Sequence, residues 1–259
     1  MVKGLYTAYT GMLNEQHRMD TITNNLANTD TTGYKKEGAT SQAFDDVLGV
    51  KIKDTSEWNI PKRMGIMNMG VKIGENYTNY DQGPFKETGN TFDLALSGKG
   101  FFNIEFTNKA GEVSTKYTRD GSFTLTKDGE LVTKDGDFVL DVDGEHIEID
   151  PFAKVSIGRD GSIYANDAYV ATIQITDFED YNYIEKYGEN LYDIVDGATE
   201  LPMAEAKVYS GYLEQSNVET VSEMVEMISV SRQYEANQKL IQTYDSSLDI
   251  AVNQVGRVQ

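Results

Sequence analysis

The chain is 259 residues long, with 42 Asp and Glu against 23 Lys and Arg, a formal charge of −19, two histidines and no cysteine. That balance argues against nucleic acid and anionic membrane as partners, because Lys and Arg supply phosphate affinity. His17 and His146 lie far apart and no thiol is present, which leaves little for a transition-metal site or a Cys/His nucleophile pair. An apolar content of 39% with 16 tyrosines and 10 phenylalanines still allows a packed core. The N-terminus lacks a signal-peptide core, and no apolar run reaches the roughly 18–20 residues a membrane helix needs. Composition alone therefore reads as a cytosolic protein, or one that leaves the cell without a Sec signal.

Residues 1 to about 28 read as a helix. Leu5, Tyr9, Met12, Gln16, Met19, Thr23 and Leu26 recur at steps of four and three, an imperfect heptad seam. The tail Asn28-Thr29-Asp30-Thr31-Thr32-Gly33 competes for helical hydrogen bonds and should end it. Residues 29 to about 82 carry no clear period. Phe44, Val47, Leu48, Val50 and Ile52 fit a strand or a short helix, and Lys62–Gly70 reads as a connector.

From about 83 to 205 the pattern is β-rich. Asp-Gly occurs at 120, 128, 135, 143 and 160 between strand-like runs, a hairpin signal because both turn positions must accept positive φ. An antiparallel sandwich or partial barrel is expected. Residues 216–258 read as a longer helix, opened by the capping-box pattern Ser216-Asn217-Val218-Glu219. Its apolar positions run Val218, Val221, Val225 and Ile228. A second register takes Met227, Val230, Tyr234, Asn237, Ile241, Tyr244, Leu248, Ala251, Val255 and Val258. Some 40 residues make a rod of roughly 60 Å.

The reading is an α+β fold in which long N- and C-terminal helices form a coiled-coil-like pair, with a central antiparallel β-rich domain between them in sequence. Its parts are 1–33 (helical assembly segment), 34–82 (irregular or extended connector), 83–205 (β-rich outer domain) and 206–259 (helical assembly segment). The helical ends are nearly balanced in charge and the β region is acidic, as suits helices that pack against copies of themselves.

Each conspicuous motif has a plain alternative. Asp141-Val142-Asp143-Gly144-Glu145 loosely resembles a calcium loop but lacks the later ligand positions, so turns are the better reading. Gly98-Lys99-Gly100 lacks the spacing of a phosphate loop. Nothing singles out a catalytic pair among 42 acids, and the tyrosines fit a sheet face better than a sugar site. No enzyme activity, cofactor or metal is expected. The terminal helices could fold back as an intramolecular hairpin. They could also be a self-assembly element whose seams neighbouring subunits complete, and unequal length favours the second. In that case the ends should be disordered or partly helical in an isolated chain.

Several blocks in order resemble one family. They are Gly4-Leu5-Tyr6-Thr7-Ala8 with Thr10-Gly11-Met12, then Asn24-Asn25-Leu26-Ala27-Asn28 and Thr32-Gly33-Tyr34-Lys35. Asp93-Leu94-Ala95-Leu96-Ser97-Gly98-Lys99-Gly100-Phe101-Phe102, Tyr117–Phe123 and Gly188–Tyr192 follow. The set closes with Gly211–Val218, Met224–Ile228 and Arg232–Asn237. The chain resembles the bacterial flagellar basal-body rod proteins of the FlgF/FlgG type, the proximal or distal rod subunit. The resemblance implies a structural subunit that polymerises helically with itself and other axial flagellar proteins and transmits torque from motor to hook. It also implies export through the flagellar type III apparatus without a cleaved signal, with no nucleic acid bound and no membrane insertion. The implied assembly interface is Leu5, Tyr9, Met12, Met19, Leu26, Val221, Val225, Ile228, Tyr234, Ile241, Tyr244, Leu248 and Val255. The signature residues Asn24–Asn28 would end helix one and turn the chain, and Gly98, Gly100, Phe101 and Phe102 mark the β domain. The competing reading is a surface adhesin or carbohydrate-binding module with coiled-coil ends.

Overall fold

The computed structural model describes residues 2–51, 62–109, 111–188, 190–195, 197–202 and 206–255. The chain divides into two units. A helical unit holds Met1–Ala27, Glu37–Asn79 and Glu219–Gln259, and a β unit holds Asn28–Lys36 and Tyr80–Val218.

In the helical unit, α1 spans Val2–Ala27 and α2 spans Thr220–Ile250, continued by a π-helical turn, Ala251–Val255. The hydroxyls of Thr10, Thr21 and Thr23 donate to carbonyls one turn back, which removes their competition with the helix. The helices run antiparallel: Gly4 faces Tyr244, Gly11 faces Asn237, Arg18 pairs with Glu226 at 3.0 Å, and Asn25 donates to Glu223 at 3.3 Å. A Cβ on Gly4 would collide with the Tyr244 hydroxyl, so the Tyr244 ring would have to shift.

These contacts correct the expected coiled-coil-like pair. Among the described residues two α-helices and a largely β remainder are present, and the contacts that join the helices include glycines facing Tyr244 and Asn237, an amide and an ion pair, so coiled-coil pairing is not shown. Tyr9, Val221, Val225, Ile228 and Leu248 of the predicted seam are exposed instead. The helical period was present, but two heptad registers on α2 cannot both face one shorter partner.

Four strands lie in the stretch that offered no clear period. β1 (Glu37–Ala43) pairs antiparallel with β4 (Val71–Thr78), and β2 (Val47–Lys51) with β3 (Lys62–Met67). Ile52 lies outside the described residues. The capping box also fails to form. Glu219 precedes α2 without a side-chain cap bond, the Ser216 hydroxyl accepts from Val218 N at 3.3 Å, and the Asn217 amide is spent on Lys36 N and Asp81 O.

The β unit is organised around one strand. It runs β5 (Phe85–Glu87), β6 (Leu94–Ser97), β7 (Phe101–Thr107), β8 (Val113–Thr118), β9 (Thr124–Leu125), β10 (Leu131–Val132) and β11 (Phe138–Val139). Then come β12 (Val155–Ile157), β13 (Ser162–Ala165), β14 (Ala168–Thr172), β15 (Ile175–Phe178), β16 (Ile184–Tyr187), β17 (Leu191–Ile194), β18 (Glu200–Pro202), β19 (Lys207–Ser210) and β20 (Tyr212–Glu214). β7 pairs with β8 along one edge. Its other edge is shared by β15 at Phe101–Phe102 and β11 at Ile104–Glu105. Because side chains alternate along a strand, Phe102 and Phe101 enter different cores. Phe102 packs with Leu94, Leu96, Phe123, Ile163 and Val208. Phe101 packs with Tyr117, Phe178, Ile184 and Tyr192.

The Asp-Gly turns form in a different way from the one expected. At Gly129, Gly136, Gly144 and Gly161 only the glycine has positive φ, closing a tight turn on the carbonyl three residues back. This is the type I turn with a left-handed glycine. Gly121 has no positive φ; a Cβ there would strike the Leu94 carbonyl oxygen, so close packing requires it. The turn with two positive φ values is Asn166 (51°) and Asp167 (64°), between β13 and β14.

The second core contains two tyrosines with raised pKa values. Burial pushes Tyr117 up, helped by the charge and hydrogen bond of Glu200. Burial also raises Tyr181, whose hydroxyl donates to Asp177 at 2.6 Å. An unfolded tyrosine gives up its proton near its ordinary value of 10.0, where these two still hold theirs. Stability is therefore lost as pH rises above about 10. Urea unfolding at pH 9 and pH 11 should show Tyr117→Phe with Tyr181→Phe losing less stability between the two than the unaltered chain. Equal losses would contradict the assignment.

Candidate functional site

Two features stand out: a buried charged junction in the β unit, and an exposed apolar face on the helical unit.

The junction joins side chains far apart in sequence. Lys35 Nζ donates to Glu214 Oε1 at 2.7 Å and to the Asp81 carbonyl at 2.8 Å. Arg119 donates from one guanidinium nitrogen to Glu214 Oε2 at 3.2 Å and from the other to the Gly98 carbonyl at 2.7 Å. Its plane lies over the Phe101 ring at 5.4 Å, and its Nε has no hydrogen-bond partner among the described residues. Lys35, Glu214 and Arg119 are 0%, 1% and 4% exposed. Burial lowers the Lys35 pKa, although the charge and hydrogen bond of Glu214 oppose it. Backbone bonds complete the site: Gly33 N donates to Glu214 O at 2.8 Å and Gly83 N to Glu214 Oε1 at 2.9 Å. Gly33 needs its φ of 69° to turn the chain here. Thr32 Oγ1 donates to Asp120 at 2.8 Å, and Asn190 Nδ2 to the Thr32 carbonyl at 2.8 Å.

Five of the blocks singled out in the sequence, those holding Lys35, Gly98, Arg119, Asn190 and Glu214, therefore contribute to one place, though Lys35, Arg119 and Glu214 were not identified as its centre. Their signal was weak: three ordinary charges inside otherwise apolar or glycine-rich blocks. Gly98 and Gly100 both have positive φ, at 114° and 127°, and shape the bend before β7 that carries the Arg119 acceptor.

Asn25 pins the helical unit. Its Nδ2 donates to the Glu37 carbonyl at 2.8 Å and its Oδ1 accepts from Glu37 N at 3.0 Å, so the side chain pairs with β1 as a strand would. Helix α1 ends two residues later at Ala27. Asn28 then accepts from Thr31, by backbone at 3.3 Å and by side chain at 3.1 Å. Asn24 is exposed and Leu26 half-buried. Asn25→Ala should cost about 1–3 kcal/mol by stranding both Glu37 backbone groups. Hydrogen exchange would check this: the Glu37 amide should exchange faster, and unchanged protection would refute the role.

The remaining predicted interface residues separate into two groups. Leu5, Met12, Met19, Tyr234, Ile241 and Tyr244 are half-buried within the helical unit. On α2, Val221, Val225 and Ile228 are 66%, 63% and 54% exposed at i, i+4 and i+7, with exposed Met224 beside them. Tyr6, Tyr9 and Leu13 are exposed on α1, and Leu248 on α2. The side chain of Val255 lies outside the described residues.

Among the described residues no group of three or more His, Cys, Asp or Glu is placed to hold a metal ion. The loop that loosely suggested calcium uses Asp141 Oδ1 to accept from Asp143 N at 2.7 Å and Glu145 N at 3.3 Å. No described helix is long and apolar enough to cross a membrane.

Three family descriptions match the chain. Residues 5–35 match "Flagella basal body rod protein", residues 95–165 the "Flagellar hook protein FlgE/F/G D1 domain", and residues 209–254 the "Flagellar basal body rod FlgEFG protein C-terminal". The chain is 33% identical to the flagellar basal-body rod protein FlgF of Caulobacter vibrioides, covering 100% of both chains. It is 34% identical to the flagellar basal-body rod protein FlgG of Bacillus subtilis, covering 98% of this chain and 99% of the other. It is 32% identical to the flagellar hook-basal body complex protein FlhO of Bacillus subtilis, again over 100% of both. The adhesin alternative finds no support in these matches.

Proposed function

As the chain belongs to the flagellar basal-body rod protein family and is a structural subunit of the rod, we propose that it polymerises helically with copies of itself and with other axial subunits, and passes torque from motor to hook. The observation that carries this reading is the apolar stripe Val221, Met224, Val225 and Ile228, which is exposed among the described residues. A monomer gains nothing from such a stripe, whereas fully burying each large aliphatic side chain contributes roughly 1.5–3 kcal/mol. Repeated heterologous contacts whose rotation does not close build an open helix rather than a ring.

Tyr6, Tyr9 and Leu13 add a second exposed face, and the half-buried Leu5, Met12, Met19, Leu26, Tyr234, Ile241 and Tyr244 hold the helical unit in shape for both. The work is mechanical rather than catalytic. The acidic β unit keeps the subunit soluble before assembly. The chain reaches its place by the flagellar type III route without a cleaved signal, and neither binds nucleic acid nor inserts in a membrane.

Basal bodies purified from cells expressing a tagged chain test the reading. The tag should copurify with the rod and be seen along its axis. A tag found only in the soluble fraction of motile cells would contradict it.

A further inference from the structure

We propose that the Lys35–Glu214–Arg119 cluster is a completion latch, which keeps the β unit open until the segment 206–217 has joined it. The inference rests on the geometry of the β unit and not on the assembly reading above. Lys35 and Arg119 bring two cations into a site that is almost wholly shielded from water. Among the described residues Glu214 is the one carboxylate that pairs with both, and it comes 95 residues after Arg119. Without it, among the described residues the two like charges would keep as hydrogen-bond acceptors only the carbonyls of Asp81 and Gly98, with the more weakly acting Asp81 charge beside Lys35. A buried charge that loses its partner is strongly unfavourable, so closure before Glu214 arrives is disfavoured.

The same segment is needed at several other points. β20 pairs with β5, β19 pairs with β6, Val208 enters the core of Phe102, and Glu214 O accepts from Gly33 N. Strand pairing alone would let β7 and β8 form first and wait for it. The charges remove that option, because the site on β8's Arg119 side cannot be sealed with both cations unpaired. Folding of the β unit becomes a single step that includes both of its sequence-distant ends.

Refolding of the full chain with pulsed hydrogen exchange tests this. In the unaltered chain, the amides of β6 and β7 should gain protection in the same kinetic step as Gly33, Gly83 and Leu213. Glu214→Gln keeps an acceptor for Gly83 but loses the charge, and should lower the folded-to-unfolded ratio by roughly a hundredfold or more. The triple variant Lys35→Met, Arg119→Met, Glu214→Gln removes all three charges. It should recover most of that ratio and protect β7 and β8 in an earlier, separate step. Early protection of β7 and β8 in the unaltered chain would overturn the latch, as would a triple variant no better than Glu214→Gln alone.

Discussion

Replacing Val225 and Ile228 together by aspartate should leave the β unit folded and abolish rod assembly. Both side chains are more than half exposed within the chain, at 63% and 54%. Surface substitutions away from packed features usually fall within about 0.5 kcal/mol, so the subunit itself should tolerate the pair. The assembled state should not. A carboxylate buried without a partner costs several kcal/mol, and two per subunit repeat along the whole polymer. Near-UV circular dichroism should match the unaltered chain while cells carrying only the variant lack complete rods in electron micrographs. Normal rods from the variant would show that this face does not make the contacts.

The second large effect is internal. Phe102→Ala should destabilise the β unit by about 3–5 kcal/mol, the usual cost of emptying an aromatic site in a close-packed core. Phe102 is fully buried, meets Phe123 edge-on at 5.2 Å between ring centres, and sits on the strand to which β8, β11 and β15 all pair. Phe152→Ala is the control: at 97% exposure it should change stability by less than about 0.5 kcal/mol. Urea unfolding would check both, and similar values for the two would refute the assignment of Phe102 to the hub.

How far the sequence revealed this fold depended on how local each signal was. The helices were visible because apolar residues at steps of three and four need no information from elsewhere. The turns at Gly129, Gly136, Gly144 and Gly161 were visible for the same reason, although their type was not. The Asn166-Asp167 turn was missed because neither residue is glycine, and Asp-Gly drew attention elsewhere. The stretch around Val47–Lys51 was left open between strand and short helix, and the strands at 37–43 and 62–78 were missed: Glu37-Gly-Ala-Thr-Ser-Gln-Ala43 shows no alternation, and its face is set by pairing with β4 and by the Asn25 side chain. The pairing of α1 with α2 was read as a heptad seam, since period alone does not say whether a partner meets a valine or a glycine. Lys35, Arg119 and Glu214 could not be grouped by spacing at all. Their relation exists only once β5, β6, β8 and β20 have come together.

The chain lacks cysteine, so a single Val225→Cys provides a unique thiol for the most direct test of whether the exposed α2 face holds subunits together. Maleimide labelling should be rapid on the isolated subunit and strongly suppressed in intact basal bodies built from the same variant. Equal labelling in both would mean that the α2 face stays in water after assembly, and would contradict the account.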